Sequence, residues 1–193
     1  MDAVSCGNRN IVVLSNDTDV IVLLPYYIDV FHLHGLQQLW VLAGIGDSTR
    51  FIPLHTLAAR MGTPLCKVSP AVHSLTGCDT TNKIGTKAAA LKCDPVIYLS
   101  EFGEPETADP LLLASAEEYL VRVIKRATRC KTFTELRKEI YHYSKNSSMQ
   151  QLPPTTIALQ QHLLRAHLAT FQMVHLLDHC EAFTKPNGIW LHR

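Results

Sequence analysis

The sequence predicts an α/β fold, with a small parallel sheet in its N-terminal part and a mainly α-helical region behind it. Three observations carry that prediction. Ile11 to Leu14 is a short apolar run rich in β-branched residues, the pattern of a strand buried in a parallel sheet. The polar turn Asn16-Asp17-Thr18-Asp19 follows, and then the apolar stretch Val20 to Tyr27, so strand, turn and helix open a βα unit. From Pro53 onward the apolar residues recur at helical spacing.

The remaining elements follow in order. Leu39 to Ala43, ending at Gly44, reads as a second buried strand, and Arg50-Phe51-Ile52 as a third after the turn Gly46-Asp47-Ser48. Leu54, Leu57, Ala58 and Met61 share one helix face, and Gly62 ends that helix. Cys66, Ser69, Val72, His73 and Leu75 mark another helix, closed by Gly77. Asp79 to Asn82 looks like the cap of the next helix, which continues through Ala88 to Lys92, and Pro95 marks a break. Past a loop rich in Pro and Glu (Glu101 to Pro110), helices are expected over Leu112 to Arg129 and Thr134 to Tyr143. A polar loop, Ser144 to Pro154, leads to a long amphipathic helix over Thr155 to Cys180. Two or three strands make a poor sheet by themselves, so further strands are expected from upstream sequence or from a partner.

The bulk composition narrows the function classes. At 193 residues and 47% apolar content the chain can bury a core and is not intrinsically disordered. With 18 Lys+Arg against 17 Asp+Glu, the formal net charge of +1 provides no global basic field, so any nucleic-acid contact has to come from a local cluster. No two of the six cysteines have Cys-x-x-Cys spacing, which argues against a zinc ribbon or a thioredoxin-type motif. The N-terminal residues lack the apolar run of a signal peptide, and the longest apolar stretch is far too short to span a bilayer. The expectation is an intracellular protein, nuclear or cytoplasmic, with reduced thiols and no membrane partner.

Two sequence features can carry chemistry. Asp17 and Asp19 stand just past the carboxyl end of the first strand, where open α/β sheets place their ligand sites. Two carboxylates one residue apart can both face a divalent cation such as Mg²⁺. Equally, Asp17 can simply cap the following helix. The second feature runs from Leu75-Thr76-Gly77-Cys78-Asp79 to Gly85-Thr86-Lys87-Ala88-Ala89. A helix start beside a glycine presents backbone N–H groups to a phosphate, and Lys83, Lys87 and Lys92 add charge. Its plain alternative is an ordinary helix–turn–helix with a solvated basic face.

Together, Ser15-Asn16-Asp17-Thr18-Asp19-Val20 and the Gly77-Cys78-Asp79 … Gly85-Thr86-Lys87 pair resemble the flap-endonuclease (XPG-type) branch of PIN-like nucleases. In that family a strand ends in Asp-x-Asp, and a later Gly-x-Asp precedes a helical segment with a Gly-x-Lys core that grips one DNA strand. The order and the gap of about sixty residues also match. The resemblance implies that Asp17, Asp19 and Asp79 are Mg²⁺ or Mn²⁺ ligands, and that Lys83, Gly85, Thr86 and Lys87 hold a nucleic-acid backbone. It implies a division into residues 1–100, the C-terminal half of a PIN-like nuclease domain with its phosphate-binding segment, and 101–193, a helical extension. Arg50-Phe51-Ile52-Pro53-Leu54-His55, Leu75 to Thr81 and Leu152-Pro153-Pro154-Thr155-Thr156 are also similar to a multicopy group of animal proteins that look derived from mobile elements. That second resemblance spans about residues 11 to 190 and brings no activity with it.

The family carries further acids on a first strand and a middle helix, and only Asp2 precedes Asp17 here. Two-metal phosphodiester hydrolysis needs several carboxylates to hold both ions and align water. The expectation is therefore an incomplete nuclease-like domain, inactive alone, with no catalytic residue of its own assigned. The alternative is a non-catalytic nucleic-acid or protein interaction module, paired with the missing half of the domain or with a protein partner. Other candidates weigh less. His175 and His179 lie one helical turn apart beside Cys180, with His167 upstream, but without the glutamate of an H-E-x-x-H motif they read as structural. Cys78 reads as a small buried hydrophobe.

Overall fold

The computed structural model of the chain describes residues 6–143 and 152–175. The chain divides into two compact units, residues 1–70 with 174–193, and residues 71–173.

In the first unit β1 (Asn10–Leu14) pairs in parallel with β2 (Gln38–Ala43), Asn10 opposite Gln38 and Leu14 opposite Leu42. β3 (Arg50–Pro53) lies antiparallel on the other side of β2, with Ala43 opposite Arg50. The parallel part is thus the β1–β2 pair. The link from β2 to β3 covers only residues 44–49 and contains a 3₁₀ turn at Gly46–Ser48, too short for the crossover that a parallel third strand requires. Gly44 makes that link feasible: its φ is +105°, and a Cβ there would lie 2.2 Å from the Ser48 carbonyl oxygen.

The stretch read as one helix after β1 is two, α1 (Thr18–Tyr26) and α2 (Ile28–Leu33), joined at Tyr27. Pro25 lacks the N–H that would bond the carbonyl one turn back, which weakens the end of α1. α3 (Leu54–Met61) ends at Gly62, whose φ of +76° suits glycine. Val41 and Leu54 are fully buried among Ile28, Leu39, Ala58 and Cys66, with Ile11 and Val13 of β1 and Ile21 and Leu24 of α1 packed against them. Each such aliphatic side chain contributes about 1.5–3 kcal/mol by leaving water. The alternation along β1 puts Val12 and Leu14 on the opposite face, where they are exposed, as is Phe51 of β3. Tyr27 donates to the Val174 carbonyl at 2.7 Å and tethers the chain's later return to this unit.

α4 (Thr63–Thr76) crosses the division at Pro70 and Ala71. The second unit then holds α5 (Lys87–Ala90), α6 (Pro95–Leu99), α7 (Pro110–Ile124), α8 (Phe133–Tyr143) and most of α9 (Thr156–Val174). α5 is capped by Thr86, whose hydroxyl oxygen accepts from the Ala89 N–H at 3.1 Å, and not by Asp79 to Asn82. That earlier segment closes a turn instead: Thr81 donates to the Ser74 carbonyl at 2.6 Å and accepts from the Cys78 N–H at 3.1 Å. Pro95 starts α6 rather than breaking a helix, as suits proline in a first turn. α7 opens on Asp109, which accepts from the Leu111 N–H at 2.6 Å, and ends at Ile124, sooner than the expected Arg129. Ala116, Tyr119, Leu120 and Val121 of α7, Phe133 and Leu136 of α8 and Leu159 and Ala166 of α9 form the buried faces. Residues of the expected last helix beyond 175, including His179 and Cys180, lie outside the described residues, as does Asp2. Among the described residues no helix is long and apolar enough to cross a membrane.

Candidate functional site

The acidic loop sits at the carboxyl end of β1, as its sequence position implies. Its geometry is set by side-chain caps. Asp17 is the N-cap of α1, accepting from the Asp19 N–H at 2.8 Å. Ser15 accepts from the Asp17 N–H at 3.1 Å, and Asn16 accepts from the Gly44 N–H at 2.6 Å, which ties the ends of β1 and β2 together. Capping of α1 by Asp17 is therefore a fact of the fold, whatever else the residue does. Asp17 is exposed and Asp19 half-buried. Asp79 is exposed on the turn after α4. The three acids draw on both units, Asp17 and Asp19 on the first and Asp79 on the second. Among the described residues no group of three or more His, Cys, Asp or Glu side chains is placed to hold a metal ion.

The turn at Gly85 is tightly built. Gly85 has φ of +67°, and a Cβ there would stand 2.5 Å from Cγ1 of Val123 in α7. Gly77 is under the same constraint, since a Cβ would come within 2.9 Å of the Lys83 backbone. Lys87 is exposed, but its ammonium donates to Nδ1 of the buried His73 at 2.6 Å, so the cation expected to grip a backbone already has an acceptor. Lys83 is exposed.

Two arginines that the sequence reading missed stand beside this turn. A pocket of about 330 Å³ lies between α5 and the end of α7, walled by Thr86, Ala89, Lys92, Arg122, Val123 and Arg126. Arg122 and Arg126 are one helical turn apart in sequence, and Lys92 faces them from the end of the α5 segment. Arg122 is braced by Glu118, at 2.9 Å, and lies over the Tyr98 ring with its guanidinium carbon 5.7 Å from the centroid. Its Nε is buried without a hydrogen-bond partner in the structure. Cys93, on the same wall, donates to the Arg122 carbonyl at 3.4 Å, and burial pushes its thiol pKa up, so it is no ready nucleophile. The signal in the sequence is the i, i+4 pair Arg122/Arg126 at the C-terminal end of a segment whose pattern is dominated by its apolar face.

His162, His167, Cys78 and Cys130 make hydrogen bonds within the fold. His167 accepts at Nδ1 from the Gly103 N–H (3.3 Å) and donates from Nε2 to the Pro105 carbonyl (2.8 Å), so both ring nitrogens hold the loop before α7. His162 donates from Nε2 to the Leu75 carbonyl at 2.9 Å, and burial pulls its pKa below the usual histidine range. Cys78 is half-buried and sits 3.3 Å from both the Thr80 and Thr81 hydroxyls, in a polar turn and not in the apolar core expected for it. Glu139 gathers donors from Lys125 (2.9 Å), Thr128 (2.9 Å) and Cys130 (3.1 Å), which hold its carboxyl down at about 2. No family model, curated protein or solved structure matches the chain.

Proposed function

We propose that the chain is a nuclease-like module that holds a nucleic-acid backbone without cutting it. The pocket beside the Gly85–Thr86 turn carries this reading: Lys92, Arg122 and Arg126 line one pocket of a chain whose net charge is only +1. A local cluster of this kind is what phosphate binding needs. Lys83 is a further exposed cation in the chain before the turn, and Thr86 lines the pocket. Support for binding without cutting comes from the acids. Three carry over from the resemblance, and Asp17 uses one carboxylate oxygen to cap α1. Asp17, Asp19 and Asp79 offer the hard oxygen donors that suit Mg²⁺ or Mn²⁺, which would supply charge neutralisation at a phosphate.

The test is incubation of the chain with flap and single-stranded DNA in Mn²⁺, beside an Asp17→Ala control. Salt-sensitive binding without cleavage is expected. Robust cleavage that the control abolishes would overturn the reading. A protein partner is the second reading, favoured by β1. That strand is the edge of its sheet, and it exposes Val12 and Leu14. Such an edge accepts a further strand.

A further inference from the structure

We infer that the pocket at the end of α7 is a terminal-phosphate site, which takes a phosphomonoester borne on a nucleic-acid strand end or on a free mononucleotide. This rests on the backbone-binding reading above and narrows it to a ligand class.

Three features fit a terminal phosphate. The first is shape. The concavity has a volume of about 330 Å³, at the small end of the roughly 300–1,000 Å³ range of ligand pockets. It exceeds what a phosphate alone would fill, and the small side chains of Ala88 and Ala89 leave room for an attached sugar.

The second is charge. Of the three cations, Arg122 is already paired with Glu118, while Lys92 and Arg126 have no carboxylate partner among the described residues. Two uncompensated positive charges match a phosphomonoester, which carries about −1.5 to −2 at neutral pH, better than a diester with its single charge.

The third is the set of donors. Arg122 lines the pocket with its guanidinium, whose several N–H groups exceed the one that Glu118 takes. Thr86 uses its oxygen as an acceptor from Ala89, which leaves its O–H to donate. These groups are held in advance of binding. Glu118 and the Tyr98 ring fix the Arg122 guanidinium, and the contact of Gly85 with Val123 fixes the turn that bears Thr86.

The experiment compares affinities of the full chain, by anisotropy or calorimetry, for probes that separate the sources. These are a short single strand with a 5′-phosphate, the same strand with a 5′-hydroxyl, a circular single strand, a nucleoside monophosphate, the nucleoside and inorganic phosphate. The phosphorylated strand should bind about tenfold or more tightly than its hydroxyl counterpart, the gain of one charge-assisted contact set. The monophosphate should compete with it, and the nucleoside should not. Arg126→Gln and Lys92→Gln, both at exposed side chains and so compatible with folding, should each remove the preference, while Lys138→Gln on α8 keeps it. Equal binding of phosphorylated and hydroxyl strands would overturn the end-site inference and leave backbone binding standing. Binding of the monophosphate with no strand binding at all would uphold the site and overturn the backbone reading. No binding of any probe would overturn both. A preference that survives in the Lys92→Gln/Arg126→Gln double variant would place the site elsewhere.

Discussion

Replacing Gly85 with Ala tests how the basic turn is built. Two costs add. An L-residue held near φ +67° pays about 1–2 kcal/mol for left-handed backbone. The new methyl would also stand 2.5 Å from Val123 Cγ1, inside any real carbon–carbon contact, and overpacking of this kind costs about 1–3 kcal/mol. The sum is about 2–5 kcal/mol, enough to lower Tm by about 10 °C in a chain of this size. Val123→Ala removes the clash but not the backbone cost. The double variant should therefore be more stable than the two single losses added together, by about 1–3 kcal/mol in a double-mutant cycle followed by urea or thermal unfolding. A Gly85→Ala chain within about 0.5 kcal/mol of the parent would refute the reasoning. So would a cycle showing no coupling to Val123, since Gly85 and Val123 would then not be in contact as described.

Asp17→Ala should cost about 1 kcal/mol through loss of the α1 cap, while Asp17→Asn, which still caps, should be close to neutral; equal losses in both by thermal melting would argue for another role. His162 should make stability fall as pH drops. Its folded pKa is depressed, so below the unfolded value of about 6.5 the unfolded state takes up the proton first; the loss should begin as pH falls through that value, and His162→Gln should flatten Tm there. Glu139 acts in a lower window. Its carboxyl is held at about 2 against an unfolded value of 4.5, so the stability it brings is present above 4.5 and lost as pH falls towards 2. The stability gap between the parent and Glu139→Gln should close over that range in acid unfolding. If Asp17, Asp19 and Asp79 hold a cation, millimolar Mn²⁺ should raise Tm, by about 2.7 kcal/mol of stability at a hundredfold excess over its dissociation constant, and an unchanged Tm would argue against the site.

How far these features can be read from the sequence depends on how local their causes are. The apolar runs at Ile11–Leu14 and Leu39–Ala43 and the helix stops at Gly62 and Gly77 are local signals, and each marks an element in the structure. The start of the short α5 is misleading in the sequence because Asp79 to Asn82 has good capping residues. Thr81 is instead drawn back to the Ser74 carbonyl, a bond that only the folded turn creates. Lys87 looks like a phosphate ligand because of its spacing from Gly85, and its diversion to His73 depends on a residue fourteen positions earlier. The pocket is hidden for the same reason. Lys92 and the Arg122/Arg126 pair are about thirty residues apart, and the packing of Gly85 against Val123 and the Cys93–Arg122 hydrogen bond join their elements.

The central claim, that a folded basic pocket and not the overall charge binds nucleic acid, is tested most directly by the salt dependence of affinity for single-stranded DNA. The parent chain should show a linear fall of log K with log salt concentration, with no cleavage in Mn²⁺. The Lys92→Gln/Arg122→Gln/Arg126→Gln variant should bind more weakly and with a slope flattened by about 2, near 0.7 for each phosphate no longer neutralised. A variant with the parent's slope and affinity, or a parent chain that shows no salt-sensitive binding, would contradict the account.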